Sequence, residues 1–233
     1  IIGDSQWLAD YLMRHPILLD DLLGKQLWIK EHDWQKSCQE LNANLCACHG
    51  DVEAQMDALR HYQHSQVFRL AVQDLDNLWT VEAISDELSL LADCVLNSAL
   101  QHLWSGLKNT HTEIPKIAII GYGKLGGKEL AYASDLDLVF IYDDSHPDAY
   151  ANYSRLITRL TTWLSATTAA GGLYDVDLRL RPDGDAGQIC VSVEAFRKYQ
   201  QEKAWTWEHQ SLTRARFVCG DEAVGQAFED ISH

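Results

Sequence analysis

The stretch Ile117–Asp144, IAIIGYGKLGGKELAYASDLDLVFIYDD, decides the fold. It holds two apolar runs rich in β-formers, Lys116–Ile120 ended by Gly121, and Leu136–Tyr142, both expected as strands. Glycines fill the space between them. At the mouth of the second run stand two carboxylates, Asp135 and Asp137. Their i, i+2 spacing puts both on one face of a strand. Oxygen ligands of this kind suit Mg²⁺, which keeps several waters and bridges substrate phosphates.

Two folds compete for the stretch. Gly121, Gly123 and Gly126 satisfy G-x-G-x-x-G after a strand, and Asp143 and Asp144 follow about twenty residues on, where a dinucleotide fold holds its ribose-binding acid. Against that fold, the helix would carry Gly126-Gly127 near its start and end by Ser134. The next strand would open on two acids, and no regular βα units follow. The other fold is a nucleotidyltransferase of the polymerase-β type, in which a Gly-Gly turn precedes an Asp-x-Asp pair. Here Gly126-Gly127 precede Asp135-Leu136-Asp137. A third carboxylate then comes from a neighbouring strand. Tyr174–Leu180 alternates, with Tyr174, Val176, Leu178 and Leu180 on one face and Asp175, Asp177 and Arg179 on the other, as a half-buried strand does. Asp177 is available for the third place, and Asp175 is the alternative.

The chemistry of that second fold is coherent. Three carboxylates holding metal ions clamp a triphosphate and activate an attacking hydroxyl. Backbone N–H groups near the Gly126-Gly127 turn approach phosphate oxygens with no side chain in the way. Lys124 and Lys128 add charge. Arg179 and Arg181 continue the polar face of Asp177, and Arg suits phosphate or carboxylate. A solvated acidic strand face is the plain structural alternative.

Upstream the texture is helical. Trp7, Leu8, Tyr11 and Leu12 repeat at helical spacing, and Pro16 is a natural first-turn residue before Ile17-Leu18-Leu19 and Leu22-Leu23. Asp51–Leu75 is a long helix with Met56, Leu59, Tyr62, Gln66 and Leu70 near one face. Thr80–Leu107 is another, with Ile84, Leu88, Leu91, Val95 and Ala99 in register. His61 and His64, three apart, are expected on a polar helix face. Downstream, a helix is expected over Asn152–Ala170, ended by Gly171-Gly172. Another opens at Ser192 with Glu194 in its first turn, and a last one covers Ala204–Phe217. The expected architecture is α+β: a helical bundle over 1–113 and a nucleotidyltransferase core with a small mixed sheet over 114–233.

Composition narrows the partners. The net charge of −15 repels phosphate backbones, so duplex nucleic acid is not expected as a partner, while a local nucleotide site remains open. No apolar run approaches the ~20 residues of a membrane span, so no membrane partner is expected. The six cysteines form no zinc spacing and are expected as free thiols in a reducing cytoplasm. The start at Ile1 without Met, and the stop at His233, suggest a piece of a longer protein.

Several motifs together resemble one family. GYGKLGGKELAYASDLDLVF, Gly121–Phe140, and YDVDLRLRPDGDAG, Tyr174–Gly187, resemble the bifunctional glutamine synthetase adenylyltransferases. Those enzymes carry two related nucleotidyltransferase domains, one attaching AMP to a tyrosine of glutamine synthetase and the other removing it by phosphorolysis. AWTWEHQSLTRAR, Ala204–Arg216, resembles the attaching half; the removing half tends to read R-D-W-E-R there. WLADYLMRHPILLDDLL and DALRHYQHSQVFRLA resemble the helical region before a catalytic core.

The resemblance implies Mg²⁺ on Asp135, Asp137 and Asp177, with Asp177 also taking the hydroxyl proton. ATP is implied as the substrate, with the family's glycine turn mapping onto Gly126 and Gly127; Lys124, Ser134, Arg179 and Arg181 are the further residues expected to hold it. Glutamine synthetase is the implied target, and a PII-type nitrogen-signalling protein an implied partner of the longer enzyme. Against the family's pattern, the loop between Asp144 and Tyr153 reads as short, and the 233 residues are expected to stop before the family's helical region after the core.

Overall fold

The computed structural model describes residues 5–19 and 32–232. The chain divides into two compact units, and the division falls inside a long helix, between Val95 and Leu96. The first unit also takes in Leu130–Tyr132 and Thr167–Leu173. The expected boundary at 113/114 lies within the second unit.

The first unit is helical: α1 (Gln6–Arg14), a 3₁₀ turn (Pro16–Leu19), α2 (Trp34–Ala47), α3 (Val52–Leu75) and the first part of α4 (Val81–Ser105). Leu22 and Leu23, expected in the helix after Pro16, lie outside the described residues. Side-chain oxygens of Ser5, Asp33 and Asp51 cap α1, α2 and α3, accepting from Leu8, Lys36 and Ala54. Each satisfies one of the N–H groups a helix start leaves without a partner. On α4, the expected stripe of Ile84, Leu88, Leu91, Val95 and Ala99 is buried.

α3 differs from its expected stripe. Met56, Tyr62 and Gln66 are half-buried, whereas Gln55, Arg60, Gln63, His64, Arg69 and Gln73 are buried. Several of these polar side chains find partners. Arg60 Nε donates to Gly171 O at 2.9 Å, and Arg69 Nη1 donates to Gln73 Oε1 at 3.2 Å. His64 is therefore not on a polar face: it bonds Tyr11 Oη at 2.9 Å and stacks on His15 at 3.8 Å. Burial and the neighbouring His15 push its pKa down to about 3, so the ring is neutral. The free-thiol expectation holds for Cys46, Cys48, Cys190 and Cys219 and fails for Cys38 and Cys94. These two are disulfide-bonded across 56 residues, because the packing of α2 near α4 brings together what no local spacing rule connects.

The second unit is a small mixed sheet with helices. Its elements are β1 (Ile117–Gly121), the single turn α5 (Gly123–Gly126), β2 (Leu136–Tyr142), α6 (Ala149–Ser165), β3 (Val176–Asp177), β4 (Val191–Ser192), α7 (Val193–Glu202), α8 (Thr206–Leu212), β5 (Arg216–Gly220) and α9 (Glu222–Ser232), together with the end of α4. β1 pairs antiparallel with β2 and with β5. β3 and β4 both pair parallel to β2, one at its start and one at its end. The antiparallel β1–β2 pair rules out the dinucleotide fold, which needs those two strands parallel around a crossover helix.

β1 is buried along its whole length and β2 nearly so, which accounts for their continuous apolar runs. Ala118, Ile120, Val139 and Ile141 pack with Phe196 of α7 and with Val224 and Phe228 of α9. Burying each large apolar side chain contributes about 1.5–3 kcal/mol.

Three expected elements change. The helix expected to run to Ala170 stops at Ser165, where Ala166 turns extended, and Thr168 bridges Gly171 instead. The alternating strand Tyr174–Leu180 keeps only two ladder residues, Val176 and Asp177. The helix expected over Ala204–Phe217 is α8 followed by β5. Arg216–Gly220 is drawn into the sheet because β1 offers an open row of backbone hydrogen-bonding groups, a tertiary demand that overrides local helical pattern.

Candidate metal and nucleotide site

The site is built by the start of β2 and the two residues of β3. In the parallel ladder Leu136 stands opposite Val176, and Asp137 opposite Asp177. Leu136 N–H donates to Asp175 O at 2.9 Å, locking that register. Asp135 lies just before β2 and two residues from Asp137, on the same side. Carboxylate oxygens of Asp135, Asp137 and Asp177 all lie within 4.8 Å of one another. Asp177, not Asp175, completes the group.

α5 is pressed against this cluster. Tyr122 N–H donates to Asp137 O at 2.9 Å, and Gly123 then turns the chain at φ +55. A Cβ on Gly123 would strike the Asp137 carboxylate, so only glycine allows this approach. Leu125, fully buried, anchors the turn from below. The N–H groups of Gly126 and Gly127 are already engaged, donating to Tyr122 O at 2.9 Å and Gly123 O at 3.0 Å. What Gly126 permits is close packing, since a Cβ there would meet the Arg214 and Gly121 carbonyl oxygens.

Charge is unevenly distributed over the cluster. Burial, with Asp135 and Asp177 beside it, raises the pKa of Asp137, and Lys124 and Arg179 offset part of this. Asp177 is held low. Arg179 Nε donates to both of its oxygens at 3.1 and 2.9 Å, Nη2 donates to Oδ2, and the Arg179 backbone N–H donates to Oδ1 at 2.8 Å. A carboxylate so held is a weak proton acceptor while the pair persists.

The remaining expected residues are placed less centrally. Ser134, half-buried, directly precedes Asp135. Lys124 is exposed on α5 and near enough to act on Asp137 by charge. Arg181 turns into its own loop, where Nη1 donates to Leu178 O at 2.7 Å and lies 3.5 Å from Asp185.

The donor set fits Mg²⁺. The ion takes oxygens at ~2.0–2.1 Å in octahedral geometry, so its ligands stand ~3–4 Å apart; the cluster needs only small side-chain rotations to reach that. The crowding that raises Asp137 is what a cation relieves.

Three residues near the cluster escaped sequence reasoning. Gly123 was visible only as part of the dinucleotide fingerprint. Arg216 Nε donates to Leu125 O at 3.2 Å, and Arg214 pairs with Glu129 with its guanidinium beside Gly127. Both arginines flank the glycine turn only because β5 joins β1; the alternation of Arg214 and Arg216 was the available signal.

A family model described as glutamate-ammonia ligase adenylyltransferase matches residues 1–231. The chain belongs to that family. Among its relatives, the bifunctional glutamine synthetase adenylyltransferase/adenylyl-removing enzyme of Neisseria meningitidis serogroup B is 60% identical over 231 residues, covering 99% of this chain and 26% of the relative. The enzyme of the same description from Chromobacterium violaceum is 56% identical over 233 residues, covering 100% and 26%. That from Nitrosomonas europaea is 54% identical, covering 97% and 25%. The chain thus spans about a quarter of the length of these curated adenylyltransferase relatives. The first-unit helices and the carboxylate cluster both fall within the matched region. No helix among the described residues is long and apolar enough to cross a membrane.

Proposed function

We propose that this chain is an adenylyl-transferring core, moving AMP from ATP to a tyrosine hydroxyl of glutamine synthetase and releasing pyrophosphate. The observation that carries this reading is the meeting of Asp135, Asp137 and Asp177 on adjacent strands beside the glycine turn. An antiparallel β1–β2 pair with its carboxylates at the start of β2, completed by a parallel neighbour, supports a polymerase-β-like core. Mg²⁺ bound by these carboxylates supplies charge neutralisation at the transferring phosphate and at the leaving pyrophosphate. Lys124 and Arg179 are the side chains best placed to meet the triphosphate. In the transfer the tyrosine oxygen bonds the α-phosphorus, the bond to the β-phosphate oxygen breaks, and the hydroxyl proton passes to a carboxylate of the cluster, with Asp177 as the proposed acceptor once its Arg179 partner has left.

The direction rests on Ala204–Arg216, whose sequence resembles the attaching half of the family. Phosphorolytic removal of AMP is the second reading, because the relatives' description names both activities and the same carboxylates serve either direction. In a protein of the relatives' full length, a PII-type signalling protein is the proposed regulator, acting in the cytoplasm in nitrogen assimilation. Incubation with α-labelled ATP, Mg²⁺ and unmodified glutamine synthetase should transfer label and release pyrophosphate. Release of ADP from adenylylated glutamine synthetase plus phosphate, without label transfer, would reverse the direction. Label transfer that survives Asp137→Ala would overturn the site.

A further inference from the structure

Arg179 holds Asp177 more completely than a stray surface ion pair would. Both carboxylate oxygens accept from its side chain, and Oδ1 also accepts from its backbone N–H. A carboxylate offers about four lone-pair sites, and these bonds occupy most of them. Asp177 stands opposite Asp137 in the ladder and shares the cluster with Asp135. A guanidinium gripping both oxygens leaves little of this carboxylate to a divalent cation, since the two compete for its lone pairs and repel each other. The arginine is free to leave, because its side chain is 75% exposed. Once it leaves, its planar fork of donors suits phosphate oxygens.

We propose that Arg179 is a built-in counter-ion that occupies Asp177 until a divalent cation displaces it, and that the displaced guanidinium then binds a phosphate of the nucleotide. The proposal rests on the metal and nucleotide reading above. It makes metal arrival the event that frees the phosphate-binding group, so the cation and the nucleoside triphosphate bind with positive coupling. Arg179 thus changes partner, from Asp177 to a nucleotide phosphate, and is not a fixed phosphate ligand.

The test is calorimetric and needs no turnover. Mn²⁺ is titrated into the whole chain as wild type, Arg179→Gln and Arg179→Lys, without nucleotide. Each protein, loaded with Mg²⁺, is then titrated with α,β-methylene-ATP. Arg179 is 75% exposed, so solvent screens its charge on Asp177, and Mn²⁺ should bind Arg179→Gln roughly two- to fivefold more tightly than wild type. Arg179→Lys should also bind Mn²⁺ more tightly, because lysine keeps the charge but not the two-pronged grip. The nucleotide analogue should bind both variants more weakly than wild type. Opposite signs for metal and nucleotide cannot come from a merely structural role, which would move both the same way.

Arg179→Lys binding Mn²⁺ like wild type would reduce the effect to plain charge repulsion and overturn the displacement. Variants equal to wild type in both titrations would overturn it as well. A wild type that binds no Mn²⁺ would instead remove the metal reading beneath the proposal. Circular dichroism of each variant separates these results from misfolding, and the exposed position of Arg179 makes the lysine variant the safer of the two.

Discussion

Gly123→Ala should damage the site far more than Gly127→Ala, four residues along the same turn. Gly123 has φ +55, and the Cβ of an alanine there would fall on the Asp137 carboxylate. The left-handed backbone alone costs an alanine roughly 1–2 kcal/mol. At about 2–4 °C per kcal/mol for a protein of this size, the unfolding midpoint should fall by about 2–8 °C. The carboxylate must also rotate away, which takes one oxygen from the cluster. Loss or misplacement of a ligand's support typically weakens metal binding about 10–100-fold. Gly127 sits at φ −78, an ordinary value. A Cβ there would stand 3.2 and 3.3 Å from the Arg214 side chain, which can shift, and 3.3 Å from the Gly123 carbonyl oxygen, a tight contact but far milder than the Asp137 clash at Gly123. Mn²⁺ titration calorimetry beside thermal unfolding checks both variants. Gly123→Ala that folds and binds Mn²⁺ like wild type would refute the claim that this glycine holds Asp137 in place. Equal losses in the two variants would refute it too.

Two further outcomes are expected. Asp177→Asn should abolish Mn²⁺ binding while Asp175→Asn leaves it unchanged; the reverse result would move the third carboxylate to Asp175. Asp144 bears on acid stability. Burial raises its pKa, but the His146 N–H, the His111 ring at 2.8 Å and the Tyr153 hydroxyl at 2.9 Å outweigh this and hold it down to about 2. Its folded pKa lies below its ordinary value, so the stability it contributes is present at neutral pH and is lost as pH falls from about 4 towards 2. Asp144→Asn should therefore cost at most about 2 kcal/mol at pH 7, shrinking towards zero near pH 2, as urea unfolding across that range would measure. A pH-independent difference would contradict the assignment.

Local physics made much of this protein legible. Two apolar runs bounded by glycine and acid became β1 and β2, because both strands are buried on both faces and tolerate little else. Ser192 and Glu194 announced α7, since a cap and a first-turn acid act within one helical turn. The Asp135–Asp137 pair followed from the two-residue period of extended chain. What lay out of reach depended on contacts distant in sequence. The antiparallel sense of β1 and β2, which separates this fold from the dinucleotide fold sharing its glycines, is set by pairing and not by composition.

Asp175 and Asp177 share one strand face, and only the Asp137–Asp177 register chose between them. Ala204–Phe217 reads as helix, and an open strand edge took its last two residues, Arg216 and Phe217, into β5. Arg179 read as a phosphate ligand and was found gripping Asp177, because a free guanidinium beside a carboxylate cluster takes the nearest anion. By itself the sequence determined which residues carry charge and which strand face they share. The tertiary structure decided which of those charges meet, because register and strand direction are properties of the neighbour as much as of the segment.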